Sequence, residues 1–272
     1  MWMYYAVSGT DTLAIVDRFN KCLNWDTYET EIPAEVEYMT GLIMFDGEQW
    51  VIYPYAYGED KAIVGVAQPE DIVVNVTEGE ISAAVEAEKA KVAKVGNITV
   101  NLTAGAAYTI ANAIEAPAGI IINGNGATID ASALGANFIQ SAVTEEAKTV
   151  DSIAVLNVTV KGLGKALYYS AGKNIGISNF VVDNSVIEMA KDVVVFDFTK
   201  GSAAMNFAVK NSTIYAPTAT TKSIYSSQGG EKGDAYGATV DTPQTFCFEN
   251  TTLYNIAYNK NFNELRQKGQ KF

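Results

Sequence analysis

The sequence predicts an all-β chain whose larger part is a parallel β-helix. Two observations carry this prediction: a repeated template with asparagine at a fixed place, and short β-branched runs that alternate with Gly, Asn and Ser turns after residue 97. The template reads apolar-x-apolar-x-Asn-x-x-apolar, and its asparagines are Asn157, Asn184, Asn211 and Asn250. The first three are equally spaced, and we call their common interval the repeat step. This interval offers room for three short strands and is typical of one β-helix coil.

The recurring asparagine has a physical reason. A sharp bend between two strands needs a residue that tolerates the left-handed region, and Asn does so at little cost. Coils stacked about 4.8 Å apart would let the amides hydrogen-bond as a ladder. The six Asn-x-Ser/Thr triplets, of which Asn101-Leu102-Thr103 is one, are therefore interpreted as turn chemistry rather than as glycosylation sites.

Charged side chains agree with this stacking. The repeat step, and the longer interval of the last repeat, bring opposite charges onto neighbouring coils. Such pairs contribute only about 0.2–1 kcal/mol each, so their value lies in fixing the register. The pairs are Lys161 with Glu188, Lys165 with Asp192, and Lys210 with both Asp183 and Glu249. The same step places Tyr169 over Phe196, which predicts an aromatic stack inside the coils.

Residues 1–76 differ in character from the rest of the chain. They hold all three tryptophans and two hairpin patterns, with turns at 8–11 and 46–47. This stretch is predicted to form a small β-rich domain or a lead-in to the coils.

Residues 77–272 are predicted to form the second domain. It opens with capping-box spacing before an amphipathic helix over about 80–95, with Gly96 at the stop. The helix is expected to cover the open end of the first coil. Residues 255–272 match the template no further, so they either cap the last coil or belong to a fragment of a longer β-helix.

The overall composition argues against several classes of binding partner and of catalytic chemistry. The net charge of −12 argues against nucleic acid and anionic membranes, which attract basic surfaces. The chain has no histidine, which removes the commonest general base and transition-metal ligand. No stretch reaches the roughly 18 apolar residues of a membrane span, and the N-terminus lacks the pattern of a signal peptide. Cys22 and Cys247 lie far apart, and two buried free thiols are favoured over a disulfide.

The repeat, the Asn turns and the leading helix resemble the pectin-lyase-like right-handed parallel β-helix superfamily, over about residues 80–272. More narrowly, residues 97–129 and 245–268 resemble uncharacterised β-helix domains of secreted proteins from polysaccharide-degrading gut bacteria. The resemblance implies an all-β fold: a right-handed parallel β-helix with a capping α-helix and a small N-terminal β domain. It also implies secretion or display at the cell surface, and a polysaccharide or oligosaccharide as the partner.

A candidate ligand site follows from the predicted register. If Tyr169 points inward, Tyr168 points outward, and the repeat step places Asp197 beside Ser170. Lys173 and Lys200 then align as like charges on neighbouring coils, which is unfavourable without an anion. The predicted ligand-binding residues for an anionic sugar are Lys173, Lys200, Tyr168 as a stacking platform, and Asp197. The alternative is two flexible lysines that extend into water.

The charged residues of the coils can be interpreted either as catalytic groups or as structural ion pairs. Lyases of the superfamily pair a calcium ion with an Arg or Lys base, and Arg18 and Arg266 both lie outside the central coils. The acids Asp183, Glu188 and Asp192 each gain a Lys neighbour, which favours structural pairs over calcium ligands. The sequence therefore predicts no catalytic residue and no cofactor, although the resemblance leaves calcium open.

The first hypothesis is a non-catalytic carbohydrate-binding or cell-surface β-helix protein used in polysaccharide metabolism. The second is a polysaccharide lyase or glycoside hydrolase that acts on an acidic glycan. The third is a phage or surface adhesin, for which trimerisation would be the indicator.

Overall fold

The computed structural model describes residues 4–8, 11–15, 38–45, 50–58, 69–141, 148–170, 175–198, 202–227, 244–257 and 263–265. The chain divides into two compact units, Met1–Gln68 and Pro69–Phe272. The predicted boundary after residue 76 is thus placed too late. The strand Glu70–Val76 pairs in parallel with Val95–Leu102 and belongs to the second unit.

The first unit contains a four-stranded sheet. Its strands are β1 (Tyr4–Ser8), β2 (Asp11–Ile15), β3 (Tyr38–Phe45) and β4 (Trp50–Gly58), in the order β1-β2-β4-β3. The antiparallel pairs β1 with β2 and β3 with β4 confirm both predicted hairpins. Strands β2 and β4 run parallel and complete the sheet.

The second unit consists of one helix and many short strands. They are β5 (Glu70–Val76), α1 (Ile81–Lys89), β6 (Val95–Leu102), β7 (Ala107–Thr109), β8 (Ile114–Ala116), β9 (Ile120–Asp130), β10 (Ile139–Ser141), β11 (Lys148–Leu163), β12 (Tyr168–Ser170), β13 (Ile175–Asp183), β14 (Val186–Met189), β15 (Phe196–Phe198), β16 (Ala203–Lys210), β17 (Thr213–Tyr215), β18 (Tyr225–Ser227), β19 (Thr245–Glu249), β20 (Thr252–Tyr254) and β21 (Asn263–Leu265).

These strands form two sheets in which the described pairs are parallel. One sheet has six strands in the order β21-β18-β15-β12-β10-β8, and the other has eleven. Within the larger sheet, β11 pairs with β13 before its bend and with β14 after it. Three runs of stacked strands therefore follow one another along each repeat, as the sequence predicts.

The predicted register holds at the template positions of the larger sheet. Phe180 pairs with Phe207 and Phe207 pairs with Phe246, so the template positions of successive repeats lie side by side. Parallel strands stack about 4.8 Å apart, which brings identical positions into contact. The inward residues of these strands are buried and form one continuous apolar core.

The template asparagines lie at the bends between strand runs. Asn157, Asn184, Asn211 and Asn250 have φ between 47° and 51°, the left-handed conformation that the sequence predicts. Nδ2 of Asn184 donates to Oδ1 of Asn157 at 3.1 Å, and Nδ2 of Asn250 donates to Oδ1 of Asn211 at 3.0 Å. The asparagine ladder is confirmed, with one interruption where Asn211 donates to Asp183 at 2.9 Å.

The turn interpretation of the Asn-x-Ser/Thr triplets holds for Asn157, Asn211 and Asn250, which have positive φ, and is wrong for Asn75, Asn97 and Asn101, which lie in strands β5 and β6. At two of these bends the residue after the asparagine carries a hydroxyl that bonds the backbone. Ser212 Oγ donates to the carbonyl of Lys210 at 2.5 Å and accepts from the backbone N–H of Ser185 at 3.1 Å. Thr251 Oγ1 likewise donates to the carbonyl of Glu249 at 3.0 Å. The hydroxyls thus satisfy backbone groups that the bend would leave without partners.

The helix α1 is shorter than predicted. It ends at Lys89, while Gly96 lies in strand β6. Its N-cap is Glu80, whose carboxylate accepts the backbone N–H groups of Ser82 at 3.0 Å and Ala83 at 2.6 Å, so the predicted capping box at Thr77 is wrong. Ile81 and Val85 are fully buried and α1 contacts β5, the last strand at this end of the sheet.

Two further sequence predictions have structural outcomes. Cys247 is a free thiol and is half-buried rather than buried, while Cys22 lies outside the described residues. Across the described part of the chain, no helix has the length and apolar character needed to cross a membrane.

Candidate functional site

The six-stranded sheet presents one face to the core and one to the outside. Along β12, Tyr168 and Ser170 are buried, whereas Tyr169 between them is half-exposed. Along β15, Phe196 and Phe198 are buried and Asp197 is half-exposed. Tyr169 pairs with Asp197 in the parallel register, so these two side chains are neighbours on the outer face.

The predicted orientation of Tyr168 is therefore wrong. Tyr168 is fully buried and its ring packs 5.2 Å from that of Phe180 and 5.0 Å from that of Phe198. Burial also raises the pKa of its phenol. Tyr168 serves as a core residue and cannot act as a stacking platform for a sugar.

The error has a single cause. Tyr168 of β12 pairs with Phe196 of β15, so the interval between these two strands is one residue longer than the repeat step. A slip of one residue exchanges the two faces of a strand, because side chains alternate with period two. Asp197 accordingly lies beside Tyr169 and not beside Ser170, and Phe196 stacks in the core without Tyr169.

Lys173 and Lys200, the two cations of the predicted site, lie outside the described residues. Their role in anion binding stays a prediction. The remaining predicted site residue, Asp197, lines a groove together with Tyr169.

This groove has a volume of about 530 Å³ and lies on the outer face of the six-stranded sheet. Its lining side chains come from separate segments of the chain, namely the loop before β10, the loops before β12 and β15, strands β12 and β15, and the loop before β18. We call it the Tyr169 groove. The polar and aromatic lining residues are Asn137, Lys165, Tyr169, Asp192, Asp197 and Lys222.

Asp192 organises one wall of the Tyr169 groove. Its carboxylate accepts hydrogen bonds from the backbone N–H and the hydroxyl of Thr221, both at 2.7 Å, and from the backbone N–H of Lys222 at 2.9 Å. Burial raises the pKa of Asp192, but the hydrogen bonds from Thr221 and Lys222 outweigh burial and hold the pKa below its usual 3.8. Asp192 is therefore ionised at neutral pH and fixes the loop that carries Lys222.

Asn137 holds the opposite wall. Its Oδ1 accepts the backbone N–H of Ala166 at 3.2 Å, and its Nδ2 donates to Gln140 at 3.5 Å. The backbone N–H of Phe138 donates to the carbonyl of Ala166 at 2.9 Å. These bonds fix the backbone next to Lys165, so both lysine-bearing segments of the groove are anchored by hydrogen bonds.

The other predicted charge pairs behave in different ways. Lys210 forms an ion pair with Glu249 at 3.5 Å, as predicted. Lys161 pairs with Asp130 in the register, and a register shift follows Val160 on the side of Glu188. Glu188 instead accepts the hydroxyl of Tyr215 at 2.5 Å. Within the described ranges, no group of three or more His, Cys, Asp or Glu side chains is arranged to hold a metal ion.

Sequence reasoning missed the part played by Lys222 and Asn137. Both lie in loops between strands of the six-stranded sheet, and the repeat template does not include them. Lys165 and Asp192 are matched by the repeat step, and both line the groove. That match and the prediction of Asp197 as a ligand-binding residue were the two sequence signals for residues on this face.

One comparison with known proteins found a match, and it covers most of the second unit. Residues 74–217, just over half of the chain, match the family model described as Domain of unknown function (DUF4957). Neither the curated proteins nor the solved structures gave a match.

Proposed function

The chain belongs to the DUF4957 family, whose description names no activity, and from the Tyr169 groove we propose that it is a non-catalytic carbohydrate-binding protein. The ligand is an acidic polysaccharide or oligosaccharide, and the site of action is the cell surface or the surrounding medium. The observation that carries the proposal is the pairing of half-exposed Tyr169 with Asp197 in a groove that also contains Lys165 and Lys222.

The fold proposed with this function is a right-handed parallel β-helix of the pectin-lyase-like kind. Its support is the succession of three strand runs in each repeat and the left-handed asparagines at the bends. α1, with Ile81 and Val85 buried against the core next to β5, is proposed to cap the first coil.

Each groove side chain suits a different part of a sugar acid. The ring of Tyr169 offers an apolar face of the kind that packs on the C–H face of a pyranose. Asp197 can bond sugar hydroxyls through its carboxyl oxygens, which are hydrogen-bond acceptors. The ammonium groups of Lys165 and Lys222 can pair with a sugar carboxylate.

The balance of charge favours an acidic ligand. Two lysines and two aspartates line the groove, but Asp192 is engaged by three hydrogen bonds within the protein. The charge of Asp192 is therefore partly offset by its donors and by the positive charge of Lys222, while Lys165 adds a second cation to the groove lining.

Isothermal titration with hexagalacturonate tests the proposal. Tyr169→Ala is expected to weaken binding about tenfold through loss of ring packing, and Lys222→Ala by a similar factor. Lys91→Ala is the charge-matched control. Lys91 is exposed, pairs with Glu88 and does not line the groove. Wild-type protein that fails to bind hexagalacturonate and other uronide oligomers at millimolar concentration would rule out the proposal.

A lyase is the second candidate, because Lys165 and Lys222 line the groove together with Asp197, and lysine amines serve as general bases in catalysis. The same protein samples, incubated with polygalacturonate with and without calcium, distinguish the two. Binding without new ultraviolet absorbance from unsaturated ends supports the binding protein. Absorbance that disappears in Lys165→Ala or Lys222→Ala assigns the lyase instead.

A further inference from the structure

A second aromatic surface lies on the larger sheet, away from the strands that carry the Tyr169 groove. Strands β17 and β20 have the related sequences Thr213-Ile214-Tyr215 and Thr252-Leu253-Tyr254. They pair in parallel and in register, with Thr213 beside Thr252 and Tyr215 beside Tyr254. Ile214 is fully buried, so the threonines and tyrosines of both strands point outward.

The four outward side chains form a small rectangular array. Adjacent strands lie about 4.8 Å apart, and residues two apart along a strand are separated by about 6.6 Å. One side of the array is a pair of phenol rings and the other is a pair of threonine hydroxyls. Tyr254 is 62% exposed, an unusual degree for an aromatic side chain on a folded unit.

The neighbouring repeat fixes one of the two rings. The hydroxyl of Tyr215 donates to Oε2 of Glu188 at 2.5 Å, and Glu188 pairs with Tyr215 in the register of β14 and β17. The hydrogen bond to Glu188 raises the pKa of the Tyr215 phenol, which stays neutral in ordinary buffers. A half-exposed tyrosine held in one orientation needs little ordering when a ligand binds.

The charge at this surface differs from that of the Tyr169 groove. The group next to the two rings along the sheet is the carboxylate of Glu188. On the other side of β14 lies β11, whose Lys161 is the register partner of Asp130 in β9. An anionic sugar would be repelled at this surface, whereas a neutral sugar presents hydroxyls that Glu188, Thr213 and Thr252 can bond.

We propose that Tyr215 and Tyr254, together with Thr213 and Thr252, form a binding platform for a neutral polysaccharide. The two rings lie under the apolar faces of consecutive pyranose units, and the threonine hydroxyls and Glu188 bond the sugar hydroxyls at the edge. The platform is independent of the Tyr169 groove. A chain with both surfaces can hold a polysaccharide that has acidic and neutral stretches.

Isothermal titration with neutral hexaoses tests this proposal, with cellohexaose, xylohexaose and mannohexaose as the probes. At least one of them is expected to bind the full chain, and Tyr254→Ala is expected to weaken that binding about tenfold. Tyr254→Phe retains the ring and should bind within about twofold of the wild type, because the exposed hydroxyl contributes little. Tyr169→Ala is the control and should leave neutral binding unchanged.

Three results would contradict the proposal that these residues bind a neutral polysaccharide. They are no binding of any neutral hexaose by the wild type, undiminished binding by Tyr254→Ala, and equal losses in Tyr254→Ala and Tyr169→Ala. Because Tyr254 is exposed, its substitution leaves the core intact, and Tyr215→Ala gives a second, independent reading. Hexagalacturonate binding in the same variants reports on the Tyr169 groove separately, so failure of one surface does not imply failure of the other.

Discussion

The side-chain amide of Asn250 donates to Oδ1 of Asn211 across 3.0 Å, although the two residues belong to different repeats of the template. Both residues have a φ of 47°, so the same asparagines form the hydrogen-bond ladder and the backbone bend. Asn is suited to it because its short amide tolerates the left-handed region and can bond along the stack.

Replacement of Asn211 separates these two roles. Asn211→Ala is expected to lower the free energy of unfolding by about 2–3 kcal/mol, because it loses two side-chain hydrogen bonds and strains the left-handed backbone. Asn211→Gly keeps the backbone relaxed and should lose only about 1 kcal/mol. Thermal unfolding followed by circular dichroism measures both. Equal losses would mean that the backbone conformation contributes nothing at this bend.

Phe207 should be the most sensitive core position. Its ring lies 4.9–5.8 Å from the rings of five other aromatic residues, and it is nearly fully buried. Phe207→Ala is expected to cost about 3–5 kcal/mol through the cavity it leaves. Phe248→Ala, at a half-buried position of the last repeat, is the matched control and should cost less. Chemical denaturation of the two variants makes the comparison, and a larger loss at Phe248 would contradict the central place of Phe207.

Gly124 marks a close approach of two bends. A Cβ added there would lie 2.4 Å from Cβ of Val158 and 2.5 Å from the carbonyl oxygen of Asn157. Gly124→Ala is therefore expected to destabilise the protein by about 1–3 kcal/mol, because the backbone has to move. Gly135→Ala, where the added Cβ meets no atom within 4 Å, should change stability by less than about 0.5 kcal/mol. Melting temperatures of the two variants test this difference.

The wall of the Tyr169 groove should depend on pH through Asp192. Its folded-state pKa is lowered by the donors Thr221 and Lys222, so the stabilisation is complete above the usual 3.8 and is lost as the pH falls through the lowered value. The amide resonances of Thr221 and Lys222 should therefore hold steady down to pH 3.8 and shift below it. In Asp192→Asn this titration should be absent. A midpoint above 3.8 in the wild type would contradict the assigned hydrogen bonds.

The sequence predicted the larger sheet better than the smaller one. The template asparagine fixes the register near each bend, so Phe180 and Phe207 could be placed side by side from the repeat step. The six-stranded sheet lies farther from the asparagine, and the loops between vary in length. There the pairs Tyr168 with Phe196 and Phe196 with Tyr225 both exceed the repeat step, and by different amounts.

The unequal intervals in the six-stranded sheet explain why the sequence did not predict the outward face of the candidate site. A strand as short as β12 carries no periodicity long enough to reveal which face is buried, so Tyr168 and Tyr169 could not be told apart. Asp192 and Lys222 meet through loop backbone bonds, for which the sequence has no periodic signal. The shorter helix has a similar cause, since Val92 and Val95 continue the apolar pattern beyond the last helical residue, Lys89.

The most direct test of the central claim is a titration of the isotopically labelled full chain with trigalacturonate, followed by nuclear magnetic resonance. Saturable shifts are expected to centre on Tyr169, Lys165 and Lys222, and the signals of Tyr215 and Tyr254 are expected to stay unchanged. Shifts that spare the Tyr169 groove, or no saturable shift at millimolar sugar, would contradict the assignment of this groove as a site for acidic glycans.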